Sequence, residues 1–278
     1  MRSSRLIRTV CLAAALPALV LTASPAQAAD GSVNVLVIKE QGVGSAAQAQ
    51  PYVDKLVATT AKANGWAAAA GKYATNREGA EEYIHTADPH YGIMSLAAFL
   101  ALRGKHKLEV LGKAEVTQAG GREYHIVSKN QADLAGCKGK TLASNHSDDV
   151  RFAEKVIGEG AFTLGDFTLV ATKRPVQTLK KVTSGEAECA LIDDAQLAEL
   201  KKIEGGAAVK SVWKSKQLPP MVVVAFPSAP AAERTAFKAA LGKVCGGEGK
   251  AACSEVGIKT LGAAGNAEYQ AVITAYGK

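Results

Sequence analysis

Apolar residues recur along this chain as short β-branched runs separated by longer stretches of helical spacing, and that alternation is its main structural signal. Residues 33–38 (Val-Asn-Val-Leu-Val-Ile) form a run of strand length, continuous enough to be buried on both faces. A turn with two glycines follows at 41–45, and residues 46–64 then carry helical spacing. The rhythm continues with strands at 66–73 and 91–95, a helix at 77–85, an apolar stretch at 96–102 and a basic break at 103–107. Strands at 108–111 and 122–129 follow. In the latter, Tyr124, Ile126 and Ser128 share one face and His125 and Val127 the other.

Residues 130–140 are polar and contain glycine, which marks a boundary. Beyond it the pattern restarts, with strands at 141–144, 167–171, 189–192 and 209–213. Helices fall at 148–157, at 175–184 with proline in the first turn, and at 195–202. Residues 218–225 read as a strand carrying the chain back to the first unit, followed by helices at 233–244 and 266–276. Strands and helices alternating in two batches predict an α/β protein of two lobes. Lobe 1 is expected to comprise 29–129 with 218–278, and lobe 2 to comprise 130–217.

The amino terminus changes the picture by assigning a compartment. Arg2, Arg5 and Arg8 precede an apolar run at 10–21, and Ala26-Gln27-Ala28 supplies a small-x-small cleavage site. Residues 1–28 read as a secretory signal peptide, so the mature chain is expected in the periplasm. Cys11 lacks a lipoprotein cleavage site ahead of it, and no lipid anchor is read there. Cleavage leaves about 250 residues, enough for one large or two smaller domains. It removes three of 33 basic residues and none of 26 acidic ones, taking the formal charge from +7 to +4. That surplus suits an anionic ligand but falls short of a nucleic-acid footprint.

Four cysteines remain in the mature chain, an even count that favours disulfides in an oxidising compartment. Cys245 and Cys253 flank a glycine- and lysine-containing loop, while Cys137 and Cys189 each precede an apolar run. Three pairings are possible, and Cys137–Cys189 with Cys245–Cys253 is the one expected. A metal site would need closer ligand spacing than this. Neither a metal nor a cofactor is expected, since the glycine turn at 41–45 lacks the Lys-Ser/Thr of a phosphate-binding loop.

The chain's chemistry concentrates in the turn between the strand at 141–144 and the helix after it: Ser144, Asn145, His146, Ser147, Asp148 and Asp149. A strand-to-helix turn presents free backbone N–H groups and the positive end of a helix, so it forms one jaw of a ligand cleft in open α/β sheets. It can equally be an ordinary helix cap made by Ser147 or Asn145.

Several segments carry a family resemblance. They are Leu134-Ala-Gly-Cys-Lys-Gly-Lys-Thr-Leu-Ala, Val182-Thr-Ser-Gly-Glu-Ala-Glu-Cys-Ala-Leu-Ile-Asp193, Leu218-Pro-Pro-Met-Val-Val-Val and the closing Gly265-Asn-Ala-Glu-Tyr269. Together with the signal peptide and the two batches, they resemble periplasmic solute-binding proteins of type II architecture. Within that group the chain is most similar to the phosphate/phosphite/phosphonate-binding branch of ABC-transporter receptors. The resemblance implies two lobes that close on a ligand by a hinge and deliver it to an inner-membrane transporter. It implies an oxyanion held at the turn by Ser144, Asn145, His146 and Ser147. From lobe 1 it implies Gly44, Ser45, Ser95, Phe99 and Tyr124. Asp193 and Asp194 would face the crevice and prefer an amine or hydroxyl, or else cap the following helix. This sequence departs from the pattern at Asp148 and Asp149. Two exposed carboxylates there would each repel a dianion by about 1 kcal/mol.

Three functions follow as expectations: first, a monomeric receptor for a small polar or oxyanionic solute. The second is a carrier of a lipid-like or sterol-like ligand, suggested by Met94, Leu96, Phe99 and Met221 near the expected mouth. The third, a hydrolase on a related fold, finds no supporting motif, so the chain is not expected to be an enzyme. Of the histidines, His125 and His146 lie nearest the predicted cleft, and His85, His90 and His106 read as surface residues.

Overall fold

The computed structural model describes residues 32–40, 45–116 and 120–278. Residues 1–28, expected to be a signal peptide, and Gly44 lie outside the described residues. The first sheet opens with β1 (Val33–Ile38), α1 (Ala46–Asn64), β2 (Ala69–Ala74), α2 (Arg77–Ala87), β3 (Tyr91–Met94), α3 (Leu96–Leu102) and β4 (Glu109–Val116). The chain then crosses to a second sheet of β5 (Tyr124–Ser128), α4 (Leu134–Cys137), β6 (Thr141–Ser144), a π-helical segment Phe152–Ile157, β7 (Thr168–Ala171), α5 (Pro175–Ser184), β8 (Cys189–Asp193), α6 (Asp194–Leu200) and β9 (Lys210–Lys214). It returns through β10 (Met221–Ala225), α7 (Ala231–Val244), α8 (Gly249–Glu255), β11 (Ile258–Ala263) and α9 (Asn266–Tyr276).

The strand orders are β11-β4-β10-β3-β1-β2 and β7-β6-β8-β5-β9. β1 pairs in parallel with β2 and β3, so the carboxyl ends of these strands share one edge. β10 inserts antiparallel between β3 and β4, welding the returning segment into the first sheet. Val222, Val223 and Val224 are fully buried there, which is why a β-branched run sits at the sheet's centre. In the second sheet β6 lies between β7 and β8, all three parallel. Cys137 is bonded to Cys189, tying α4 to β8, and Cys245 to Cys253, tying the end of α7 to α8.

The two crossings are hydrogen-bonded to each other. Leu218 N–H donates to Arg122 O (2.7 Å), Ser215 N–H to Tyr124 O (2.8 Å), and Arg122 Nε to Leu218 O (2.7 Å). Among the described residues these hydrogen bonds bind the two crossing segments into a two-stranded link between the sheets, the place expected for a hinge.

The structure corrects several expectations. β5 belongs to the second sheet, paired with β8 and β9, although the boundary at 129 put it in the first lobe. The chain therefore crosses before Tyr124, not after Lys129. Trp66 precedes β2 instead of opening it, and its ring stacks on Tyr91 at 5.3 Å. β4 runs past 111 to Val116, and residues 249–255 form α8 inside what read as a loop. β11 went unread because its burial is broken by Lys259, Thr260, Gly262 and Ala263 on an edge. Val150 is 51% exposed and takes no part in the buried stripe of the helix that follows.

Candidate functional site

A cleft of about 730 Å³ opens between the two sheets at the strand ends nearest the hinge. Its first-lobe wall includes Lys39 and Glu40 after β1, Arg77 at the start of α2, and Ser95 and Leu96 after β3. The second lobe contributes His146 and Asp149, the first turns of α5 and α6, and Phe152. Arg122, Tyr124 and Met221 line it from the hinge side. These positions follow from topology, because every contributing loop follows the carboxyl end of a parallel strand or belongs to a crossing segment.

Of the ten residues expected to contact the ligand, four line this cleft: Ser95, Tyr124, His146 and Asp193; Asp148 and Asp149 line it as well. Phe99 is fully buried in the core, its ring edge-on to Tyr269 at 5.9 Å. Met94 is likewise core, while Leu96 and Met221 do line the wall. Ser45 is not in the cleft wall. It caps α1, accepting from Gln48 N–H and donating its own N–H to Gln48 Oε1. His125 is buried outside the cleft with Nδ1 2.9 Å from Ser211 Oγ.

The 144–149 turn is occupied by its own hydrogen bonds. Ser144 Oγ, fully buried, donates to Leu191 O (3.0 Å) and accepts from His146 N–H (3.0 Å). Ser147 Oγ donates back to Ser144 O (3.4 Å). Asn145 Oδ1 accepts from Thr178 Oγ1 (2.9 Å) and Gln196 Nε2 (3.0 Å). Gln196 Oε1 already accepts from Asp193 N–H (3.1 Å), so His146 Nε2, 3.0 Å away, acts as a donor to it. The His146 ring stands edge-on to Tyr124 at 5.2 Å. These contacts fix the jaw as a rigid block, and they explain why Ser144, Asn145 and Ser147 do not line the cleft.

Asp149 closes that block. Its Oδ1 accepts from Phe152 N–H (3.0 Å), capping the helical segment at its positive end. Its Oδ2 accepts from Arg77 Nη2 (2.7 Å) and Tyr276 O–H (3.1 Å), both first-lobe groups. Arg77 Nε also lies 2.7 Å from Glu40 Oε1, though out of line for a hydrogen bond. The segment below is π-helical, with Gly158 N–H reaching Ala153 O (2.9 Å), a form common near functional sites.

The electrostatics follow from these contacts. Burial raises the Glu40 carboxyl above its usual value, with Arg77 pulling the other way. Burial alone would lower Arg77, but Glu40 and Asp149 outweigh it and push the guanidinium up, so it stays charged. Burial, then the charges of Asp193, Asp194 and Glu40, drives the Tyr124 phenol well above its usual range. It stays a neutral hydroxyl. Asp193 caps α6 through Gln196 N–H (2.8 Å) while lining the cleft.

The sequence signalled the cleft carboxylates Asp148, Asp149 and Asp193 but not the charged groups Lys39, Glu40, Arg77 and Arg122. Arg77 opens α2, and no local pattern joins it to Glu40 or Asp149. Among the described residues no cluster of three or more His, Cys, Asp or Glu side chains could hold a metal ion, and no helix is long and apolar enough to cross a membrane.

A family model described as "ABC transporter, phosphonate, periplasmic substrate-binding protein" matches residues 45–269. Solved structures share the fold. The Xanthomonas citri protein XAC2383, bound to chloride, is 11% identical with a TM-score of 0.67, the match covering 88% of this chain and 96% of that one. PhnD1 from Prochlorococcus marinus, in complex with methylphosphonate, is 12% identical with a TM-score of 0.65, covering 88% and 96%. A binding-protein component of an ABC phosphonate transporter from Pseudomonas aeruginosa is 12% identical with a TM-score of 0.64, covering 88% and 85%. No curated protein sequence matches the chain.

Proposed function

The chain belongs to the phosphonate periplasmic substrate-binding family of ABC transporters, and from that premise we propose that it traps a small phosphonate-like oxyanion between its lobes and presents it to an inner-membrane transporter. It is a binding protein and not an enzyme. The observation that carries the ligand reading is the cleft itself. About 730 Å³ of space lies between two sheets linked by a pair of hydrogen-bonded crossing segments and by the contacts of Arg77 and Tyr276 with Asp149. Volumes of that order suit a small organic ligand.

The wall favours an anion with an organic substituent over an inorganic ion. Leu96, Val116, Phe152, Leu179 and Met221 supply an apolar lining, and Lys39, Arg77, Arg122 and Lys202 bring positive charge beside the carboxylates of Glu40, Asp148, Asp149, Asp193 and Glu199. Export through cleavage after Ala28, a periplasmic location and a monomeric state belong to the same reading. So do a lobe 1 built from 29–129 with 218–278, less β5, and a lobe 2 built around 130–217. Neither the lipid-carrier nor the hydrolase reading gains support from the comparisons.

Native mass spectrometry of protein purified from the periplasm tests this reading. A mature chain beginning at Ala29, carrying a removable small oxyanion, is the expected result. A chain that retains residues 1–28, or that carries extractable lipid in the cleft, would overturn it.

A further inference from the structure

Resting on that reading, we propose that the ligand's oxyanion is held from the first lobe, by the Lys39 ammonium and the Ser95 hydroxyl, and not at the 144–149 turn of the second. The side chains of the turn have little left to offer an anion. The hydroxyls of Ser144 and Ser147 and the carbonyl oxygen of the Asn145 side chain are committed within the second lobe, and Asp149 already sits on Phe152 N–H. Asp148, exposed at the cleft wall, adds a second negative charge there. An incoming anion would meet a filled site of its own sign.

Charge available to an anion lies opposite. Four cations line the cleft, and three are spent: Arg77 on Glu40 and Asp149, Arg122 on Glu115 (2.7 Å), and Lys202 on Glu199 (2.7 Å). Lys39 makes no ion pair or side-chain hydrogen bond among the described residues. A Cβ built on Gly120 would lie 3.9 Å from Lys39 Nζ and 3.8 Å from Ala195 Cβ, which puts the ammonium in the space between the lobes.

Ser95 supplies an independent signal. Its Oγ is buried at the cleft wall with no hydrogen-bond partner among the described residues. A buried hydroxyl without a partner is unfavourable unless something else satisfies it. Ser95 N–H donates to Ile38 O (2.9 Å), so Ser95 and Lys39 leave neighbouring strands at the shared edge of β1 and β3, and both line the cleft. The four-carbon stem of Lys39 lets its ammonium meet an anion seated over Ser95. Leu96 and Met221 then receive the substituent, and the ligand class is an organic oxyanion with an apolar body.

Calorimetric titration of the full mature chain with phenylphosphonate tests this, with methylphosphonate and inorganic phosphate as comparison ligands. Loss of a charge-assisted contact should weaken phenylphosphonate binding about tenfold to a hundredfold in Lys39→Met, while Lys39→Arg restores most of it. Ser95→Ala should cost about threefold to tenfold. The melting temperature of ligand-free Lys39→Met should match the wild type, since Lys39 has no partner to lose. If the wild type binds and Lys39→Met binds equally well, or Ser147→Ala carries the loss instead, the anion sits elsewhere and the subsite is wrong. If the wild type binds none of the three, the oxyanion reading falls as well.

Discussion

Arg77 Nη2 lies 2.7 Å from Asp149 Oδ2, and this contact ties the first lobe to the capped turn of the second. The two residues are 72 positions apart, Arg77 at the start of α2 beside the first sheet and Asp149 in the turn after β6 of the second. Arg77 is 32% exposed and Asp149 8%, so the pair is worth more than a surface ion pair and less than a fully buried one. Arg77→Met should therefore lower stability to urea by about 2 kcal/mol. It should also enlarge the radius of gyration of the ligand-free protein in small-angle scattering, because the lobes lose their pin. An unchanged radius would mean that other contacts hold the lobes.

Asp149 has two tasks that substitution can separate. Asp149→Asn keeps an oxygen for Phe152 N–H and loses the charge facing Arg77, whereas Asp149→Ala loses both. The alanine variant should be the less stable by about 1 kcal/mol, the value of a helix cap. Tyr276→Phe, which removes only the O–H donated to Asp149, should cost a further increment of about 1 kcal/mol. Equilibrium unfolding of the three variants checks the order.

Asp194 gives a pH dependence with a defined sign. Burial first, and then the neighbouring Asp193 charge, raises its carboxyl above the ordinary 3.8, and its Oδ1 has no partner among the described residues. Between 3.8 and the raised folded value, the native state binds more protons than the unfolded one. Its contribution to stability is thus present at low pH and lost as pH rises through the folded value. Asp194→Asn, which keeps an acceptor oxygen, should be more stable than wild type at neutral pH. That advantage should shrink as pH falls toward 3.8. Urea unfolding at several pH values measures the gap, and a gap that widens on acidification would contradict the assignment.

The two disulfides should differ in worth because they close loops of different length. Cys137 and Cys189 are 52 residues apart, Cys245 and Cys253 only 8. Loop-closure entropy predicts a loss of about 4 kcal/mol on replacing the first pair by alanine and about 2.5 kcal/mol on replacing the second. Thermal melts of the two double variants decide it.

Much of the fold was readable because burial follows apolar continuity. The runs at 33–38, 189–192 and 221–225 became strands buried at the centres of the sheets, and the four cysteines near them constrained the pairing. β11 escaped because an edge strand exposes half its residues and loses the pattern. The turn at 144–149 was found for its topology, and the two aspartates did signal that its helix end was taken. Which side chains face the cleft was not readable. Ser144 and Ser147 are spent on backbone carbonyls one strand away or three residues back. Arg77, Glu40 and Lys39 are brought to the site by sheet order alone, and a single sequence carries no trace of that.

The most direct test of oxyanion capture is a thermal melt of the wild-type mature protein with and without saturating phenylphosphonate. At a ligand concentration 100 times the dissociation constant, binding to the folded state alone should add about 2.7 kcal/mol of stability and raise the melting temperature by several degrees. An unchanged melting temperature with phenylphosphonate, methylphosphonate, phosphate and small carboxylates alike, each at millimolar concentration, would contradict it.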